Sequence, residues 1–110
     1  MVKINVDEAY AFDYLSILFL KRDRSDESFE AWSNCQEDLM LQIPNFSEII
    51  HSEEYQNLLA ANQITFVAVE QARYGDISAK DVDNANMLRH QRKKELQKKF
   101  FNNELKEYKT

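Results

Sequence analysis

The stretch Leu58-Leu59-Ala60-Ala61-Asn62-Gln63-Ile64-Thr65-Phe66-Val67-Ala68-Val69-Glu70-Gln71-Ala72-Arg73-Tyr74-Gly75 decides the fold class. Its centre, Ile64 to Val67, is β-branched and aromatic, the composition of a strand. Its beginning is not, because Leu58 to Ala61 runs into that centre without a breaker. One helix over about 53–74, capped by Ser52, accounts for both halves. Tyr55, Leu59, Asn62, Phe66, Val69 and Arg73 then form its inner row at three- and four-residue spacing. Gly75 ends it in the left-handed conformation that favours glycine.

The rest of the chain follows from scarcity. One Gly and one Pro in 110 residues cannot supply the turns of a sandwich or barrel, so the elements must be long. Asp7 is placed to cap a first helix over about 8–22, whose Tyr10, Tyr14, Ile17, Leu18 and Phe19 cover most of the circumference. After the polar break at 22–26, Ser25 or Asp26 caps a second helix to about Gln42, with Phe29, Trp32, Gln36, Leu39 and Ile43 along one face. Pro44 stops it, since the residue before a proline is driven out of the α region. Residues 45–51 form a connector of about one turn. Ser78 and Asp81 have capping-box spacing and open a last helix to about Lys106. Val2, Ile4 and Val6 alternate with Lys3 and Asn5, which predicts a short extended N-terminal arm or an edge that pairs with another copy. The expectation is an all-α single domain over 1–110, with about four helices in an antiparallel bundle and a long C-terminal helix.

Composition excludes several function classes. Apolar residues make up 44% and charged residues 30%, which is neither a disordered tail nor a membrane protein. No apolar run approaches the ~20 residues of a membrane helix, and Asp7, Glu8 and Asp13 stand where a signal peptide needs an apolar stretch. The single Cys35 forbids an intramolecular disulfide and suits a reducing compartment, so a cytoplasmic location is expected. The bias toward Lys, Asn, Ile, Phe and Tyr fits an A+T-rich genome such as that of a bacteriophage or a marine bacterium. His51 and His90 lack a second His or Cys at ligand spacing, so no metal site is expected. Cys35 lies among apolar helix positions, where a thiol serves as a small hydrophobe. No glycine-rich loop exists to cradle a phosphate or cofactor, and none is expected. The basic run Arg89, Arg92, Lys93, Lys94, Lys98 and Lys99, followed by Phe100 and Phe101, invites a nucleic-acid reading. A sequence pI near 5.0 and the lack of any known docking module disfavour it.

The net charge of −5 hides an asymmetry. Residues 1–83 hold 6 basic and 16 acidic side chains, net −10, while 84–110 hold 8 and 3, net +5. The last helix can neutralise the acidic body of its own chain or of a second copy. Together with the unpaired arm, this predicts a homo-oligomer.

Some inward rows carry charges where a simple bundle would use leucine. Asn62, Phe66, Glu70 and Arg73 share one helix face. Asn86, Arg89, Lys93, Leu96 and Phe100 share another, and Asp13, Ile17 and Lys21 a third. Asp13, Asn62, Glu70, Arg73, Asn86, Arg89 and Lys93 are therefore the candidate cluster. It reads either as a buried ion network, with Asp13 or Glu70 satisfying Arg73 or Arg89, or as a pocket for a small anionic ligand. No residue is assigned a catalytic role.

The same residues carry a resemblance. Residues 6–21, VDEAYAFDYLSILFLK, are similar to the opening of an uncharacterised bacterial family of small helical proteins, which runs roughly V-S-P-G-E-L-I-D-K-I-T-I-L-E-I-K. Asn62, Phe66, Glu70 and Arg73 resemble that family's N-x-x-L-W-x-I-E-D-x-I-R. The likeness continues through Asn86, Arg89, Lys93 and the tail Glu104-Leu105-Lys106-Glu107-Tyr108, and skips 22–57. Ala9 and Tyr10 replace the family's Gly-Glu, and Phe66 and Val67 its Leu-Trp. The resemblance implies a helical fold and supplies no reaction.

The reading is a self-associating interaction or accessory protein without demonstrable enzyme chemistry. Its alternative is a small helical enzyme or binding protein for an anionic metabolite. A chorismate-mutase-like site would hold a dianion between helices with Arg73, Arg89, Lys93 and Glu70.

Overall fold

The computed structural model describes residues 8–75 and 78–101. Of these, 87% are helical, and no strand occurs among them. The elements are α1 (Glu8–Lys21), α2 (Asp26–Gln42), α3 (Phe46–Ile50), α4 (Glu53–Arg73) and α5 (Ala79–Phe101). The chain is an all-α bundle. The arm at 2–6, the cap at Asp7 and the end near Lys106 lie outside the described residues.

Local chemistry sets most helix ends. Ser25 is extended, and its Oγ accepts from the Ser28 N–H at 3.0 Å. Ile43, held before Pro44, is extended at φ −120 and ψ 107. Ser52 Oγ accepts from the Tyr55 N–H at 3.1 Å and opens α4. Gly75 takes φ +79 after it, where a side chain would be strained. At the start of α5, Asp81 Oδ2 accepts from the Ser78 N–H at 3.3 Å and from its hydroxyl at 3.1 Å.

The start of α1 is satisfied from across the bundle. Gln97 on α5 is fully buried. Its Oε1 accepts from the Ala9 N–H and its Nε2 donates to Glu8 Oε2, both at 2.8 Å. A helix N-terminus leaves donors without partners in the helix, and here a side chain 88 residues away takes one of them.

α4 is the hub, packing against α5, α1 and α3, while α2 packs on α1 and α3. The core gathers Phe12, Leu15, Leu39, Phe46, Ile49, Leu58 and Leu96. Phe12 is its centre, with ring centroids 5.9 Å from Phe46, 6.2 Å from Tyr55 and 6.3 Å from Phe101. Full burial of such a side chain contributes about 1.5–3 kcal/mol. Small residues occupy the α4–α5 seam. Ala61, Thr65, Ala68 and Ala85 are buried there, and Thr65 Oγ1 donates to the Ala61 carbonyl at 2.9 Å.

The inner rows differ in phase from the sequence reading. On α4 the buried positions are Tyr55, Leu58, Ala61, Asn62, Thr65 and Ala68, so Val69 and Arg73 fall outside the row expected of them. Two seams, toward α1 and toward α5, need a face that includes alanines, which the row of large residues skipped. Tyr14 is 54% and Phe29 52% exposed. Phe29 instead caps the edge of Trp32, at 5.5 Å between ring centroids.

Candidate functional site

Three helices bring a polar knot into the bundle. Asp13 and Ser16 stand three apart on α1, Asn62 on α4, and Arg89 and Lys93 four apart on α5, so each pair shares a face. Asp13 is 4% exposed. Its Oδ1 accepts from Arg89 Nε at 3.1 Å and its Oδ2 from Arg89 Nη2 at 2.6 Å, a two-pronged pair. Asn62 Nδ2 donates to Asp13 Oδ1 at 2.9 Å and to Ser16 Oγ at 2.6 Å. The Ser16 hydroxyl in turn donates to the Asp13 carbonyl at 2.7 Å. Lys93 Nζ stands 3.9 Å from Asp13 Oδ2 and 4.4 Å from the centre of the Tyr10 ring.

The electrostatics of the knot are cooperative. A buried carboxylate must be paired and hydrogen-bonded to stay charged. Here it has one guanidinium, one amide and a nearby ammonium. The hydrogen bond from Arg89 to Asp13 raises the Arg89 pKa, burial opposes it, and the direct charge attraction adds to it. Asn62 Oδ1 is the one buried side-chain acceptor without a partner among the described residues.

Outside the knot, Arg89 also borders a groove of about 580 Å³ between α4, α5 and the end of α1. This lies within the ~300–1,000 Å³ of small-molecule sites. Lys21, Arg24, Arg73 and Arg89 surround it, with Glu70, Asn86 and the ring of Phe66. Lys21 Nζ is 5.7 Å and the Arg24 guanidinium carbon 5.8 Å from the centre of that ring. Among the described residues, Lys21, Arg24 and Arg73 have no carboxylate within 4.0 Å. Asn86 Nδ2 donates to the Val82 carbonyl at 3.2 Å.

The expected cluster is thus divided. Asp13, Asn62, Arg89 and Lys93 meet in the knot. Glu70, Arg73 and Asn86 are exposed and belong to the groove wall, which corrects the expectation that Glu70 and Arg73 are buried and paired. The physical reason is position along α4. Asn62 lies mid-helix between two neighbours, whereas Arg73 is its last residue, beyond the packed part of the row. Sequence reasoning missed Ser16, Gln97 and Arg24. Ser16 stands three residues after Asp13, and Gln97 continues the row Arg89, Lys93 at four-residue spacing, so both had a signal. Arg24 sits in the break after α1, where no periodicity marks it.

Other concavities have less chemistry. A groove of about 540 Å³ between α4 and α5 is lined by Ile64, Val67, Ala68 and Leu88, with Asp81 as its only charge. A pocket of about 210 Å³ lies among Phe19, Trp32, His51 and Tyr55. Among the described residues, no group of three His, Cys, Asp or Glu side chains could hold a metal ion. The buried Cys35 thiol is pushed up by desolvation and then by Asp38, away from the thiolate form. No described helix is long and apolar enough to cross a membrane. Compared with protein-family models, curated proteins and solved structures, the chain finds no match.

Proposed function

We propose that this chain is a small accessory protein that binds an anion in the groove between α1, α4 and α5. One observation carries the reading: Lys21, Arg24 and Arg73, three cations with no carboxylate within 4.0 Å among the described residues, converge on a groove whose fourth cation, Arg89, is fixed in place by Asp13. A surface with no ligand to hold would pair such groups or disperse them, particularly in a chain of net charge −5. Lys21, Arg24, Arg73 and Arg89 carry +4, and Glu70 with Asp13 returns −2. The remaining +2 suits a dianion, such as a phosphate or a dicarboxylate. Binding rather than turnover is proposed, because the groove gathers cations suited to hold an anion, and an arginine kept protonated by Asp13 is no general base. The single buried Cys35 supports a reducing, cytoplasmic setting as part of the same proposal. The resemblance to the uncharacterised bacterial family is retained in it too. Its shared positions, from Asp13 and Lys21 to Asn62, Glu70, Arg73, Asn86, Arg89 and Lys93, surround one knot and one groove.

The test is a thermal melt at constant ionic strength with phosphate, a dicarboxylate or acetate. Binding at 100 times Kd stabilises by about 2.7 kcal/mol, several degrees of Tm for a chain this size. The reading expects stabilisation by the dianions in the wild type and none in Arg73→Ala. No shift with any anion rejects it.

A further inference from the structure

The charge asymmetry of the chain has a structural counterpart. From Ser25 to Ala72 there is no Lys or Arg, while nine Asp and Glu residues occur there. α2 holds five of them and no cation. α5 holds Lys80, Arg89, Arg92, Lys93, Lys94, Lys98 and Lys99 against Asp81, Asp83 and Glu95. In the fold, α5 packs on α4 and α1, whereas α2 packs on α1 and α3. The acidic helix and the basic helix are therefore not laid against each other within the chain. Among the described residues, Glu30 and Glu37 have no cation within 4.0 Å, and Lys94 and Lys98 no carboxylate.

The exposed row of each helix has a matching pattern. On α2, Glu30, Asn34, Glu37 and Leu41 recur at spacings of four, three and four, and all are exposed, Leu41 by 74%. On α5, Met87, Gln91, Lys94 and Lys98 recur at the same spacings and are likewise exposed, Met87 by 69%. Both rows rise about 16 Å at 1.5 Å per residue. Laid antiparallel, Glu30 meets Lys98, Asn34 meets Lys94, Glu37 meets Gln91 and Leu41 meets Met87, so that Lys94 stands between the two glutamates, about 4.5 Å along the axis from Glu37. Laid parallel, Glu37 meets Lys94, but Glu30 meets Met87 and Leu41 meets Lys98, which sets a charge against an apolar side chain at both ends.

We propose that a second copy of this chain docks its α2 antiparallel on α5, with Glu30 on Lys98, Leu41 on Met87, and Lys94 seated opposite Asn34 between Glu30 and Glu37. In a twofold dimer the contact occurs twice, each chain giving its acidic row and its basic row. The apolar pair gives burial at one end, and the Glu30–Lys98 ion pair at the other sets the direction. The groove between α1, α4 and α5 takes no part in this contact, so the inference stands apart from anion binding.

Charge exchange tests it, read by sedimentation velocity at low salt. The wild type is expected to associate and to dissociate as salt rises, since exposed pairs are screened. Glu30→Lys with Glu37→Lys in one variant, or Lys94→Glu with Lys98→Glu in another, sets like charges face to face. Each is expected to weaken self-association by about tenfold or more. All four positions are exposed, and unchanged helical circular dichroism verifies that both variants fold. Mixed one to one, the two variants present opposite charges at both contacts and are expected to associate as the wild type does. A wild type that remains at 13.0 kDa at every concentration overturns the proposal. So do variants that still self-associate, or a mixture that does not.

Discussion

Arg89 and Arg73 border the same groove, yet only one belongs to the interior. Arg89 is held by both oxygens of a buried Asp13 and is 27% exposed. Arg73 ends α4, is exposed, and has no carboxylate within reach among the described residues. Both stand on rows of their helices that also carry core residues, and both were expected to pair. The difference teaches that spacing tells which residues share a face but not how far along the helix that face stays covered. Removing a group from the knot should destabilise the fold. Removing one from the groove should leave the fold alone.

The sharpest way to break the comparison is Asp13→Ala. It takes from Arg89 the only carboxylate within 4.0 Å among the described residues, and from Lys93, 9% exposed, a counter-charge at 3.9 Å. Breaking a buried pair in this way costs about 3–5 kcal/mol, and the part-exposure of Arg89 sets the expectation near the lower end. Urea unfolding that shows a loss below about 1 kcal/mol would place the knot with surface pairs instead.

Gln97→Leu comes next. The substitution keeps volume but removes the acceptor of the Ala9 N–H and the donor to Glu8 Oε2. A buried donor left without a partner costs about 1–3 kcal/mol. Hydrogen exchange at Ala9 gives the readout, and protection equal to the wild type would show that another group caps α1.

The fold was largely legible in the sequence, and the site about half so. Ser25, Ser52, Pro44 and Gly75 act on their own neighbours, so their effects could be read directly. Asp13, Asn62, Arg89 and Lys93 were legible as in-register polar residues. Their convergence required α1, α4 and α5 to meet, and no local signal encodes that meeting. Arg24 was invisible because its place depends on how the chain leaves α1. The inner row of α4 was read one step out of phase because alanines, which let helices approach, look neutral in a sequence.

A pH prediction separates the apolar core from both polar regions. Burial, and then Cys35, push the Tyr55 phenol well above its usual value. The native state therefore keeps a proton that the unfolded chain gives up above a pH of about 10. In that window the folded state binds more protons, so stability falls as pH rises, by at most about 1.4 kcal/mol per pH unit from this group. Below pH 10 the contribution is fully present. Tyr55→Phe should flatten the alkaline limb of the stability curve, and an unchanged slope would assign that limb to other groups.

The smallest expected effect on stability is the most informative about the groove. Arg73→Ala without added anion should change unfolding free energy by about 0–1 kcal/mol, the range of an exposed charge. Its sign carries the argument. If Arg73 served the fold, its loss would destabilise. If it stands among Lys21, Arg24 and Arg89 with no paired carboxylate, removing it relieves repulsion, and the variant should match or slightly exceed the wild type. A site kept for a ligand is held at some expense to stability, which the ligand restores when it binds. Added phosphate should then reverse the order, raising the wild-type melting temperature above that of the variant. A variant clearly less stable than the wild type in plain buffer would move Arg73 from the groove to the knot and erase the distinction between them.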